Sequence, residues 1–504
     1  MKVTLPDFPK IEIKQDTSLP DEAILADFDA MIWIMDGGDS AHSIQTARDE
    51  ADESLSAVAE QALERHPADS ELIYLNHPAT NARVALLRPE TAPSPFQALT
   101  LARQAIAGLL TDRPSRIAVL NLGQQHNATA DTLAEALVSA LHAALFQLPR
   151  LGKPAPPPPI IQAMHFHRFT GAPDFSRTEA TAEGNNLARW LTHMPPNQLT
   201  PGHYRELAET LAKREGWKSR FLDRKQLKRE GAGAFLSVVE ASPNDDAGIL
   251  HLQYRPSGSD GSSLALVGKG ICFDTGGTNL KNAGGMLGMH GDMQGSAVAL
   301  GTLLALTRLN FPHPVDCWLA LAENHIGSKA SKCNDVVTAV DGTTIEIINT
   351  DAEGRMVLAD TLALASRKQP RAILDYATLT GSCVAALGHR MSGAMSNRSD
   401  WTLPLIESGE RSGERVWPLP YARDYDQDLK SEVADVLQCR APAEADHLYA
   451  ARFLGRFVPD DIGWVHVDLS SGSREGGLAH IPSDTTGFGV RFGVDWLNWL
   501  VGRP

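Results

Sequence analysis

VGKGICFDTGG, residues Val267 to Gly277, joins two signals that pull against each other. The run Ser263 to Phe273 is apolar enough to be a buried strand. Yet Lys269 stands in its middle, and Asp274 with two glycines closes it. A lysine is almost never fully buried without a partner. Either Lys269 lays its stem along apolar surface and reaches solvent, or it meets groups that reward a neutral amine inside the protein. An acid at the end of a strand stands where open α/β sheets place their ligands.

Working outward, the same alternation continues. Strands are expected at Ser263–Gly268, Cys317–Ala322, Thr344–Ile348, Ala372–Tyr376 and Gly463–Val467, with helices at Met293–Leu306, Met356–Arg367 and Phe488–Leu500. The first third alternates too. MIWIM (Met31–Met35), ELIYLNH, RVALLRP, Arg116–Leu122 and IIQAMHF read as strands, and Ala41–Arg65 and Thr129–Phe146 as helices. The expected fold class is α/β in two domains, the larger built on a mixed central sheet flanked by helices. GKPAPPPP, Gly152 to Pro159, is stiff and extended, but a strand follows it at once, so the boundary is placed near Gly171–Ala180. That gives a smaller N-terminal domain over 1–174, for assembly or regulation. A connecting helix (Glu179–Thr192) and linker fill 175–199, and a catalytic domain covers 200–504.

The bulk numbers narrow the class. A chain of 504 residues, 43% hydrophobic and 21% charged, fits a soluble globular protein of more than one domain. A net charge of -15 disfavours nucleic acid and anionic membranes as general partners. No run is long enough to span a bilayer, and the N-terminus has no apolar signal core. Five scattered cysteines without a CxxC pair suit reduced thiols and a cytoplasmic location.

Four acids then draw together. Asp274 ends the opening stretch, Asp292 sits in MHGDMQG, and Asp351 and Glu353 sit in NTDAEGR after the expected strand TIEII. Spacing of two puts Asp351 and Glu353 on one side of an extended segment, and Gly354 allows close approach of a ligand. Packed acids repel unless cations intervene. Two divalent ions, held roughly 3.5–4 Å apart in two-metal hydrolases, balance four carboxylates, and Lys269 can add a nitrogen without charge if its pKa falls from ~10.4 by several units. Lys281 and Arg355 are spare cations, able to polarise a carbonyl or hold an anion. Taken singly, each residue has a plainer reading: a snorkelling Lys269, an N-capping Asp292, and a capping pair in Asp351 and Glu353. His290 reads as a satisfied or exposed histidine, and Cys272 and Cys317 as small core residues.

VGKGICFDTGG with its following LK, and NTDAEGR, resemble the leucyl aminopeptidase (cytosol aminopeptidase) family of two-metal peptidases. ARWLTHMPPNQLTP, GAFLSVVEAS, DVVTAVDG, YATLTGSC and WVHVDLS resemble it in the expected order, over about Asn186 to Leu500. The resemblance implies that Lys269 and Asp292 bind one metal, Asp351 the other, and Asp274 and Glu353 both, with Zn or Mn as the ions. It implies that Lys281 steadies the oxyanion, that Arg355 holds a bicarbonate serving as general base, and that Met289 with the stretch Thr378–Gly381 (Thr378, Leu379 and Gly381 foremost) walls the pocket for the first side chain. It further implies a cytoplasmic homohexamer that removes leucine and other neutral residues from peptides with a free N-terminus, using a water that bridges the metals. Thr275, Thr278, Asn279, Asn282, Gln294 and the loop HIGSKASKCND depart from the family pattern and bear on pocket shape. A histidine-rich phosphoesterase, a P-loop protein (GxxxxGK[ST] is absent) and a catalytically weak, mainly regulatory relative are the competing readings.

Overall fold

In the computed structural model of the chain, the apolar run around Lys269 is a strand, and it extends through Asp274 instead of stopping at Gly268. The structure describes residues 4–502 except 37–38, 51–52, 68, 90–91, 125–127, 154–155, 170–173, 260–261 and 443. The expected boundary near Gly171–Ala180 and the proline-rich stretch Gly152–Pro159 therefore fall partly outside the described residues. Two compact units emerge: Asp7–Ala182 with Gly476–Ser483, and the remaining described residues.

The first unit holds strands β1 (Glu12–Asp16), β2 (Ala30–Ile34), β3 (Leu72–Asn76), β4 (Arg83–Leu87), β5 (Arg116–Asn121) and β6 (Ala163–His167) in the order β1-β6-β5-β2-β4-β3. All neighbours are parallel except β3 and β4. Alternate residues of β2 feed the two faces: Ala30, Ile32 and Ile34 enter one core, Met31 and Trp33 the other. The segment Ala41–Arg65, expected as one helix, is described as two, Ser40–Glu50 and Glu53–Arg65.

The second unit contributes β7 (Lys218–Asp223), β8 (Gly248–Tyr254), β9 (Leu264–Asp274), β10 (Val315–Asn324), β11 (Val336–Thr338), β12 (Thr344–Glu346), β13 (Ala372–Ala377), β14 (Ser392–Ser396), β15 (Val416–Pro418), β16 (Val436–Leu437) and β17 (Gly463–Asp468). Eight of them form a mixed sheet, β15-β14-β17-β13-β9-β10-β8-β7, and β11-β12-β16 form a small second one. The four central strands, β17, β13, β9 and β10, run parallel, so their C-terminal ends open on one edge. These strands are buried on both faces and read as continuous apolar runs, as parallel strands do.

Two helices clamp β9. Glu353–Ser366 packs on the face that carries Ala265, Val267 and Ile271. Gln294–Arg308 packs on the other, and it comes very close. A Cβ built on Gly295 would sit 2.2 Å from the carbonyl oxygen of Tyr376 in β13, and one on Gly268 would sit 2.4 Å from the Cα of Ser296. Only glycine fits either place, because the obstacle is backbone. The first turn of this helix, just after Asp292, is thereby seated on the sheet.

Gly295→Ala should raise helix propensity yet lower stability by at least about 1–3 kcal/mol, the scale of overpacking a dense core. Urea unfolding of the two proteins measures this; an unchanged midpoint would mean that the contact can relax.

Candidate active site

A register slip aims the acid. β10 pairs with β9 so that Ala320 faces Lys269, Ala322 faces Ile271 and Asn324 faces Asp274. Two steps along β10 thus match three along β9, which places one extra residue at Cys272–Phe273. Strict alternation would put Lys269 and Asp274 on opposite faces of the sheet. The bulge returns Asp274 to the face of Lys269 and increases the local bend, as bulges beside active sites do. Asn324 then holds Asp274 in place, its Nδ2 donating to Oδ1 at 2.8 Å. Gly276 and Gly277 follow with positive φ, +86° and +66°, turning the chain back over the strand end.

Lys269 is 3% exposed and does not snorkel. Its Nζ lies 2.8 Å from Asp292 Oδ1 and 3.0 Å from Glu353 Oε1, and it donates to the Thr378 carbonyl at 3.0 Å. Burial would depress this amine, but Asp292, Glu353 and Asp274 outweigh it and hold the ammonium above the ordinary lysine range. Lys281 repeats the pattern, 2.9 Å from Asp274 Oδ2 and 2.5 Å from Asp351 Oδ1. Asp274 is pushed up to about 6 by burial and by Glu353, against the pull of the two lysines. Burial raises Asp292 well above the usual carboxylate range. Glu353 is the reverse: burial would raise it, but Lys269 prevails and it falls below.

The structure brings every expected site residue to one cavity of about 470 Å³: Lys269, Asp274, Lys281, Met289, Asp292, Asp351, Glu353, Arg355, Thr378, Leu379 and Gly381 all line it. Asp274, Asp351 and Glu353 each offer a carboxylate oxygen within 4.8 Å of the others, close enough to hold a cation. Asp292 joins them through Lys269. Among the described residues, Asp292 Oδ2 and Glu353 Oε2 are buried with no hydrogen-bond partner, which is costly unless a cation meets them. This donor set of hard oxygens and one amine suits divalent ions.

Several local expectations change. Glu353 is the first residue of its helix, preceded by Ala352 in a non-helical conformation. It is therefore neither half of an extended pair nor part of a cap, and Met356 is one turn inside. The space that Gly354 leaves is filled by Lys269: a Cβ there would lie 2.6 Å from its Nζ. Asp292 sits in a short 3-10 turn, Met289–Met293, ahead of the long helix. His290 lines the cavity half-buried, outside the acidic group, and Cys272 and Cys317 are buried core residues.

The departures from the family pattern are structural ties. Thr278 Oγ1 donates to the Ser331 carbonyl at 2.9 Å, and Asn279 exchanges bonds with Thr350 at 2.8 and 2.9 Å. The glycine turn, the loop His325–Asp335 and NTDAEGR are thus laced together. Asn282 caps Ala283–Met286, and Gln294 Nε2 donates to the Gly472 carbonyl at 2.9 Å.

Two carboxylates escaped sequence reasoning. Asp446, in a stretch with no motif, accepts from Arg355 Nη2 at 2.6 Å. Asp468, inside WVHVDLS, accepts from the Leu379 and Thr380 amides at 3.0 and 3.3 Å and from Thr380 Oγ1 at 2.6 Å. Asp468 thereby fixes the loop whose Thr378 carbonyl receives Lys269 and whose Thr378 hydroxyl donates to Asp292 at 2.7 Å. A strand ending in an acid was the available signal, the same one that marked Asp274.

The description "Cytosol aminopeptidase family, catalytic domain" matches residues 186–494. A probable cytosol aminopeptidase of Parasynechococcus marenigrum (strain WH8102) is 36% identical over 450 residues, covering 88% of this chain and 91% of the relative. Among solved structures, a tomato leucine aminopeptidase mutant superposes with TM-score 0.82 at 26% identity, covering 97% of each chain. The bottromycin maturation enzyme BotP in complex with Mn superposes with TM-score 0.80 at 27% identity, covering 94% of this chain and 99% of its own.

Asp468→Asn should keep the fold but loosen the 378–380 loop. The expected result is lower affinity for divalent ions, read by titration of the bound metal, with little change in melting temperature. Unchanged affinity would mean that the loop needs no such anchor.

Proposed function

The chain belongs to the cytosol aminopeptidase family, and from that premise we propose how this site works. It is a metal-dependent aminopeptidase that acts on peptides. The comparisons favour this over a regulatory protein on a catalytically weak scaffold. The observation that carries the residue-level reading is the pair of buried, partnerless oxygens Asp292 Oδ2 and Glu353 Oε2 beside Asp274 and Asp351. On this reading Lys269 and Asp292 hold one divalent ion, Asp351 the other, and Asp274 and Glu353 both. Bound there, two divalent ions would supply Lewis acidity toward the scissile carbonyl and toward water near neutral pH.

The chain's own groups do the rest. With the ions bound, Lys269 would lose its proton to solvent and serve as a neutral amine ligand, so that four carboxylates would balance two doubly charged ions. The Lys281 ammonium then meets the developing oxyanion as a fixed donor. The substrate's free α-amine would be held by one of the ions, as the resemblance implies, which would explain why only N-terminal residues are removed. Met289, Thr378, Leu379 and Gly381 receive the first side chain, and with Val384 and Leu469 in the same wall they favour leucine and other neutral residues. Arg355 carries the anion that takes the proton from water and returns it to the leaving amine; bicarbonate is the anion implied by the resemblance. Carboxylate and amine ligands admit both Zn and Mn, and a structural relative carries Mn.

The wider setting completes the reading. Residues 1–174 serve assembly or regulation, 175–199 connect, and 200–504 catalyse. The resemblance implies a homohexamer, and the name borne by the relatives, cytosol aminopeptidase, supports a cytoplasmic location. Among the described residues, no helix is long and apolar enough to cross a membrane.

Release of free leucine from a leucyl peptide should require Zn or Mn, fail with a chelator, and fail with the N-acetylated peptide. Activity on the acetylated peptide would contradict the exopeptidase site. Lys281→Ala should lower kcat by roughly 10²-fold or more and leave metal content unchanged, whereas loss of metal from that variant would assign Lys281 a different role.

A further inference from the structure

A second cleft, of about 830 Å³, opens away from the catalytic cavity, and the two share no lining residue. They lie at opposite ends of β17. Asp468, its last residue, lines the catalytic cavity, whereas Val458, Pro459 and Asp460, shortly before its first, line the cleft. Four arginines line the cleft, Arg398, Arg423, Arg452 and Arg456, against two carboxylates, Asp426 and Asp460. That is a local excess of two positive charges in a chain whose net charge is -15. Guanidinium groups gathered in this way repel one another unless anions intervene.

Among the described residues, one of the four is neutralised by a close carboxylate. Arg452 is buried and grips Asp426 twice, Nε to Oδ1 at 2.8 Å and Nη2 to Oδ2 at 2.5 Å, with its guanidinium 4.2 Å from the centre of the Tyr421 ring. Arg456 reaches the same Oδ1 only at 3.9 Å. Arg398 Nη2 donates to the backbone carbonyl of Asp460 at 2.8 Å, which fixes the side chain and leaves its charge unanswered. The Arg423 guanidinium has no ion pair or hydrogen bond among the described residues. The helix Thr402–Ser412 begins at the same cleft and no side chain caps its first amides, so its positive end adds to the field. Leu405, Leu419 and Val458 supply an apolar wall.

We infer that this cleft binds a small organic phosphate, a dianionic monoester on a body of nucleotide size. The charge matches, because a phosphate monoester carries about −1.5 to −2 at pH 7. The donors match too, since arginine grips phosphate oxygens through paired N–H groups, and Arg423 and Arg456 have theirs to offer. The apolar wall receives the organic part of the ester. The volume suits such a ligand, small-molecule sites being about 300–1,000 Å³. No residue of the catalytic cavity takes part, so the inference stands apart from the aminopeptidase reading.

The test is calorimetric titration of full-length, Mn-loaded protein with adenosine 5′-monophosphate, with adenosine and inorganic phosphate as separate arms. Wild type should bind one more nucleotide per chain than the double variant Arg423→Ala with Arg456→Ala, and salt should weaken that binding. Arg423→Ala alone should weaken it by about 10-fold or more, the loss of a charge-assisted hydrogen bond. Adenosine should not bind there, and inorganic phosphate should bind more weakly than the nucleotide, because only the ester meets both the arginines and the apolar wall. Both substituted arginines are exposed, so melting temperatures should match wild type; should the double variant melt early, Arg423→Ala alone decides by the same change in affinity. Equal stoichiometry in wild type and the double variant, as phosphate held by the catalytic ions alone predicts, would overturn the inference. So would adenosine or inorganic phosphate binding as tightly as the nucleotide. If wild type binds no nucleotide and the double variant sediments as a smaller species, the cleft is an interface with a second copy of the chain, and the inference is overturned.

Discussion

Four carboxylates and two lysines share one buried space, and the rest of the catalytic unit is arranged around that charge balance. Lys269 and Lys281 each bridge two acids: Lys269 binds Asp292 and Glu353, and Lys281 binds Asp274 and Asp351. An isolated buried charge is prohibitively expensive, so each of these groups constrains the others. The acids outnumber the lysines, and two of the buried oxygens find no donor among the described residues. Such a cluster is built for more positive charge than the side chains supply.

The backbone has to deliver these groups from separate elements, and it does so at the common edge of the parallel strands. β9 brings Lys269 and, after its bulge, Asp274. The turn before Gln294–Arg308 brings Asp292, and the start of Glu353–Ser366 brings Glu353. Gly268 and Gly295 let one helix touch the sheet, and Gly354 lets the other accept Lys269. The strand end at Asp468 sets the loop that completes the lysine's shell. Specificity and chemistry thus hang on close packing at a few glycines as much as on the charged residues themselves.

Much of this was legible in the sequence, for physical reasons. A charged residue inside an apolar run is expensive, so Lys269 announced itself, and acids at strand ends pointed to Asp274 and Asp351. The α/β alternation was plain because parallel strands are continuous apolar runs. The bulge was not legible, since a period-two pattern carries no mark of one added residue, and without it Lys269 and Asp274 fall on opposite faces. The start of the helix at Glu353 was hidden because Ala352 offers no capping side chain. Asp446 was hidden because its partner Arg355 lies 91 residues away, and such pairings have no local signature. The ties made by Thr278 and Asn279 could be seen as departures from a pattern, while their purpose needed the fold.

The most direct test is an anomalous-diffraction structure of the protein crystallised with Mn. The account predicts two manganese peaks per chain among Asp274, Asp292, Asp351 and Glu353, with Lys269 Nζ turned from its carboxylate partners into bonding contact with the ion at Asp292. A single peak, or two peaks with Lys269 still bonded only to Asp292, Glu353 and the Thr378 carbonyl, would contradict it.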